Sequence, residues 1–140
     1  MGDFNEALIN AKYHLAVAER MYTGYLEFPD KRFLIGIINE AARAVSNLIK
    51  AFLIRANRGG GDVKRNMRIF MEDVGPKYLD EIVLENLFKI LEVEKAQKVS
   101  PIEYVKGDKI ILLIQGKYRF LTAQRIGEFV KSIKTGVREF

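Results

Sequence analysis

Between residues 31 and 57 the chain carries one unbroken helical pattern whose apolar side covers more than half the circumference. At 100° per residue Leu34, Ile37, Ile38, Ala41, Val45, Leu48, Ile49 and Phe52 fall on one side. Phe33, Ile35, Ala42, Ala44, Ala51 and Leu53 flank them, and only Asn39, Glu40, Arg43, Asn47 and Lys50 leave a polar strip. A helix with so little polar surface has to be surrounded by other elements, so it belongs in the middle of a bundle.

The rest of the sequence supplies its neighbours. Residues 3–25 read as a helix, with Phe4, Leu8, Ala11, Leu15, Ala18 and Tyr22 on one narrow stripe. Pro29-Asp30 breaks it, and Asp30 can cap the central helix. Arg58-Gly59-Gly60-Gly61 ends that helix, and Asp62 is the cap of a shorter one over 63–74, stopped by Gly75-Pro76. A fourth helix over 77–99 carries Leu79, Ile82, Val83, Leu87, Ile90 and Leu91, with Leu84 and Phe88 beside them, and ends at Ser100-Pro101. The period then changes. Residues 102–121 are rich in β-branched and aromatic types, with turn signals at Gly107-Asp108 and Gln115-Gly116-Lys117. They read as a small hairpin or three-strand meander. Thr122 caps a last helix over 123–140, with a core stripe of Ile126, Phe129, Val130, Ile133, Val137 and Phe140. The expected fold is mainly all-α: an up-and-down bundle of about five helices with a small β insert before the last. It forms a single domain over residues 1–140.

Composition excludes several classes of chemistry. The chain has no cysteine, so disulfides, thiol nucleophiles and thiolate metal sites are out. The longest aliphatic run, residues 110–114, is far shorter than the ~20 residues a membrane span needs. The N-terminal residues lack the basic start and apolar run of a secretion signal, so the expected location is the cytoplasm. The missing cysteine, three glutamines and many charges suit a thermophile. Net charge is +5, unevenly spread. Residues 55–68 hold five bases and one acid, 72–94 hold seven acids and two lysines, and 98–140 hold nine bases and four acids. Patches of opposite sign suit a protein that docks onto something, including a copy of itself.

No catalytic constellation emerges. His14 is the only histidine, at the edge of the first helix's stripe. Without a second histidine or any cysteine it lacks co-ligands for a metal, and nothing marks a nucleophile beside it. It reads as a residue whose ring packs and whose nitrogen bonds a neighbour or water. The acids Glu72, Asp73, Asp80, Glu81, Glu85, Glu92 and Glu94 are spaced as a solvated face. No cofactor or metal is expected. Two basic groups are candidates for anions or nucleic acid. Arg55, Arg58, Lys64, Arg65 and Arg68 surround the triglycine, whose amides could face a phosphate, although the Gly-Lys-Ser/Thr of a Walker loop is absent. Lys131, Lys134 and Arg138 lie within a narrow arc of the last helix, where they also complement its dipole. Finally, Ile9, Tyr13 and Ala16 form a second apolar patch on the far side of the first helix, a candidate self-association surface.

The stretches Ala11-Lys12-Tyr13-His14-Leu15-Ala16-Val17-Ala18-Glu19 and Ala44-Val45-Ser46-Asn47-Leu48-Ile49-Lys50-Ala51-Phe52-Leu53 resemble the first two helices of the HEPN superfamily. The resemblance covers roughly the first sixty residues. It implies an up-and-down bundle that is often a homodimer. Some members pair with minimal nucleotidyltransferases; others are RNA-cutting toxins. The nuclease members carry an arginine followed within a few residues by a histidine. Here no arginine precedes His14, and Ser46 stands where many members have glutamate. The expectation is therefore a non-catalytic HEPN-like interaction protein, with a nucleic-acid-binding protein using the two basic patches as the alternative.

Overall fold

The computed structural model describes residues 2–99, 104–106, 109–114 and 116–140. The helix stop at Ser100-Pro101, the turn at Gly107-Asp108 and Gln115 lie outside the described residues. The described residues form five α-helices and a three-stranded sheet: α1 (Gly2–Glu27), α2 (Lys31–Arg55), α3 (Val63–Ile69), α4 (Glu81–Val99), β1 (Tyr104–Lys106), β2 (Lys109–Ile114), β3 (Lys117–Thr122) and α5 (Ala123–Val137).

As its pattern requires, α2 is central, packing on α1, α4 and α5. All eight residues of its main stripe are buried, and so are Ala42, Ala44, Ala51 and Leu53. The Asp30 carboxylate accepts from the Arg32 amide at 2.8 Å and caps the helix. It also pairs with the Arg32 guanidinium, which that hydrogen bond holds above its ordinary pKa. The far end does not need the triglycine to stop it. Asn57 adopts a left-handed conformation at φ 57°, its amide reaches Ile54 O and the Arg58 amide reaches Leu53 O. Paired backward bonds of this kind satisfy the last carbonyls of a helix, and asparagine tolerates the conformation better than most side chains.

Two boundaries differ from the sequence reading. The third helix is α-helical only to Ile69, followed by a π-helical turn at Phe70–Val74 and a 3-10 turn at Gly75–Lys77. The wider π turn places Phe70 and Val74 both inside the core. The fourth helix starts at Glu81 rather than 77, because Pro76 sits in the 3-10 turn and Asp80 is the cap, accepting from the Val83 amide at 2.9 Å. Ile82, expected in that helix's core stripe, is exposed, as is Phe88; Leu84, Leu87, Ile90 and Val93 face inward.

α5 packs on α4, α2 and α1, and the sheet, ordered β1-β2-β3, leans on α4 through β2. Thr122 caps α5, its hydroxyl accepting from the Arg125 amide at 3.1 Å. Among the described residues one polar pair lies deep in the core: the Asn86 amide of α4 donates to the Ser132 hydroxyl of α5 at 2.8 Å. Asn86→Ala should cost about 1–3 kcal/mol, since it removes the bond and strands the hydroxyl. The double variant Asn86→Leu, Ser132→Ala should recover much of that in urea unfolding, because no polar atom is then left without a partner. Equal losses in both would mean that packing, not the bond, sets the penalty.

Candidate functional site

The antiparallel α1–α2 pair turns at Phe28-Pro29, so residues equidistant from that turn meet. Gly24 packs on Phe33, Gly36 on Met21, and His14 faces Glu40. The His14 Nδ1 lies 2.6 Å from Glu40 Oε2, while Glu40 Oε1 accepts from Arg43 at 3.1 Å. The ring also meets Tyr13 edge-on at 5.1 Å. This is the packed, bonded histidine the sequence suggested. Its partner was not foreseen: the count that pairs Gly24 with Phe33 and Met21 with Gly36 sets position 14 opposite 43, and Glu40 lies about one helical turn nearer the loop. The network ties α1 to α2. Among the described residues no group of three His, Asp or Glu could hold a metal.

The basic group at 55–68 is divided by the fold. Arg55 stays exposed but folds across a ring cluster: its guanidinium lies over the rings of Phe140 at 4.3 Å, Tyr78 at 4.6 Å and Phe52 at 5.5 Å, and donates to Glu139 O. Arg58 pairs with Asp73 at 3.0 Å. Both are committed within the chain. Lys64, Arg65 and Arg68 remain exposed, with no ion pair among the described residues. The triglycine does not present a clean anion cradle. The Asp62 carboxylate already accepts from the Arg65 amide at 2.7 Å, placing negative charge where a phosphate would sit. Gly60 adopts φ 95°, open to glycine, and a Cβ on Gly61 would collide with the Arg65 side chain. Beside the loop is an open cleft of about 500 Å³ with mostly aliphatic walls, and Asp3, Ser46, Lys50 and Asn66 are its polar lining. The buried Asn66 Oδ1 has no hydrogen-bond partner among the described residues.

The second basic group is looser. Lys134 approaches Glu19 of α1 at 3.8 Å, while Lys131 and Arg138 are exposed and unpaired among the described residues. Arg138 caps the C-terminal end of α5 rather than lying on its helical face. Arg125 pairs with Glu128 at 3.1 Å and lies over the Phe129 ring. Of the acids, Asp80, Glu81, Glu72 and Glu85 are exposed. Glu92 pairs with Lys89 and Glu94 with Lys98.

The apolar candidates stay outside. Ile9 is 65% and Tyr13 62% exposed on α1, with Ala16 exposed one turn on. Further exposed apolar side chains include Leu26, Phe28, Val63 and Val99 near helix ends, Ile82 and Phe88 on α4, and Tyr118 and Phe120 on β3. The alternation Lys117-Tyr118-Arg119-Phe120 puts both rings on one face of β3 and both cations on the other. No family model, curated protein or solved structure gives a significant match to this chain.

Proposed function

We propose that the protein works by binding rather than catalysis, as a HEPN-like homodimer whose pairing surface is the outer stripe of α1. A protein of nucleotidyltransferase type is its expected second partner, as the resemblance of the first two helices implies. The observation that carries the pairing is the exposure of Ile9 and Tyr13, with Ala16, on a helix whose opposite stripe is buried at Ala11, Leu15 and Ala18. Apolar residues at these spacings can interdigitate with the same stripe on another helix, and a two-fold axis lets one patch cover its copy. The His14–Glu40–Arg43 chain runs beside the stripe and gives it a polar rim, the usual margin of an interface.

Light scattering at micromolar concentration should give about twice the 16.1 kDa chain mass. Tyr13→Glu should shift the population to monomer, because it would bury a carboxylate without a partner. A 16.1 kDa species for the unaltered protein would refute the dimer. A fully dimeric Tyr13→Glu would move the interface elsewhere.

The unpaired Lys64, Arg65 and Arg68 favour a second reading, nucleic-acid binding at the basic patches. It requires salt-dependent binding that the Arg58→Ala, Arg65→Ala, Arg68→Ala triple variant loses.

A further inference from the structure

The sheet has an inner and an outer face. β2 and β3 pair so that Ile110 meets Leu121, Ile111 meets Phe120, Leu112 meets Arg119 and Leu113 meets Tyr118. Successive residues of a strand alternate between faces. Ile110, Leu112 and Leu121 are buried and turn inward. Ile111, Leu113, Tyr118 and Phe120 share the opposite face, where Tyr118 is 63% and Phe120 69% exposed. Residues 104–122 contain four bases (Lys106, Lys109, Lys117, Arg119) and one acid, Asp108. Lys109, Lys117 and Arg119 are exposed, and none has an ion pair among the described residues.

We propose that this outer face binds single-stranded RNA, with the rings of Tyr118 and Phe120 as stacking platforms and Lys109, Lys117 and Arg119 meeting the phosphates. The two rings are two residues apart on one strand, a rise of about 7 Å, so they can seat successive bases separately. Lys109 is on the ring-bearing face, paired with Thr122 one rung beyond Phe120. Lys117 and Arg119 belong to the reverse face of the same edge strand, and their long side chains can reach around the edge. Aromatic rings beside unpaired cations are what single strands need, since every base offers a π-face and every nucleotide a charge. Duplexes hide their base faces; RNA displays unpaired bases in loops and ends.

A second copy fits this face poorly. Two-fold pairing across it would bring Lys109 of each copy into the interface, with Lys117 and Arg119 of both copies at the strand edge beside it, and no acid is described on the sheet to offset them. Lysines on an edge strand also discourage unwanted strand pairing, which accounts for the charges. It leaves two large rings side by side in solvent unexplained. The surface is separate from the α1 stripe, so failure of the dimer and failure of RNA binding are independent results.

The test is fluorescence anisotropy with a labelled oligouridylate of about a dozen nucleotides, within the usual single-strand footprint. Binding is expected at about 50 mM salt and should weaken steeply by about 200 mM. Tyr118→Leu and Phe120→Leu should each weaken it about tenfold, because leucine keeps apolar area but loses the ring. Lys117→Ser with Arg119→Ser should flatten the salt dependence by about one to two in slope. Circular dichroism melts should be unchanged, since all four side chains are exposed. The proposal is overturned by no binding at low salt, by leucine variants that bind like the parent, or by loss tracking the Arg58/Arg65/Arg68 triple variant instead. Tighter binding of the same sequence as DNA or as a duplex also overturns it. Displacement of the RNA by polyglutamate at equal charge would reassign the face to an acidic protein segment. A mass change in the leucine variants would reassign it to a second copy.

Discussion

Phe52→Ala should lower the free energy of unfolding by about 3–5 kcal/mol, the range for deleting a fully buried ring. The position is a junction rather than an ordinary core site. Phe52 is fully buried near the end of α2. Its ring lies 4.6 Å from Phe140, 5.5 Å from Tyr78 and 5.6 Å from Phe70, so three other stretches of chain meet on it. Phe4 closes on Phe140 at 5.7 Å and brings in the start of α1. Arg55 covers the cluster from the solvent side. Removing the central ring would take contacts from Phe70, Tyr78, Phe140 and Arg55. Urea unfolding is the measurement, read as a fall in midpoint with unchanged slope. Arg55→Ala should cost less, because one exposed cation over rings contributes about 0.5–2 kcal/mol. A Phe52→Ala loss under about 1 kcal/mol would mean the cavity closes over, against the cavity term expected for a rigid site.

Arg55 also marks where sequence reading misleads. A run of bases around glycines looks like an anion site, yet one of its arginines is a packing residue and another a bridge to Asp73. Nothing local announces this. The rings over which Arg55 lies are 23 and 85 residues away, at Tyr78 and Phe140, and only the folded bundle brings them together. The same limit explains Glu40, where a strip of polar residues on α2 conceals one that faces His14 across the turn.

What was legible came from period and punctuation. The central helix was readable because its apolar pattern runs for seven turns and has one sensible place to go. Three caps, Asp30, Asp62 and Thr122, were readable because a short oxygen-bearing side chain before a periodic run has one main use there. The start of α4 was not. Lys77 and Tyr78 continue a plausible pattern, and Asp80 was counted among surface acids although it is the fourth cap. The π turn was illegible for a related reason: the extra residue is accommodated by burying Phe70 and Val74, a choice made by packing rather than by propensity. For the α1 stripe, the sequence located the apolar residues and the fold leaves them uncovered. On β3 the composition was visible, but which ring lacked a neighbour depended on the sheet having helices on one side only.

The hold on the end of α5 leads to the other large effect. Gly136→Val should destabilise the protein by about 1–3 kcal/mol, the usual range for forcing atoms into a filled core. A Cβ on Gly136 would stand 2.6 Å from Leu48 Cδ2, closer than side chains tolerate. Leu48 is fully buried on the central helix and cannot swing away into solvent. Intrinsic preference works the other way, since valine is a better helix residue than glycine by a few tenths of a kcal/mol, so a net loss must come from the collision. That origin can be isolated. Leu48→Ala alone should cost about 2–5 kcal/mol by opening a cavity. Combined with Gly136→Val it removes the obstructing methyls and refills part of the space, so the double variant should lose less than the two single losses added together. The expected coupling is about 0.5–3 kcal/mol, as for other residues in direct contact. Gly136 is one residue from the end of α5, where a helix could unwind to escape the clash. The Arg55–Glu139 bond and the seating of Phe140 on Phe52 oppose that escape. If Gly136→Val is harmless and amide exchange at residues 133–140 rises sharply, the end of α5 has frayed and the latch at Arg55 is weaker than its geometry implies.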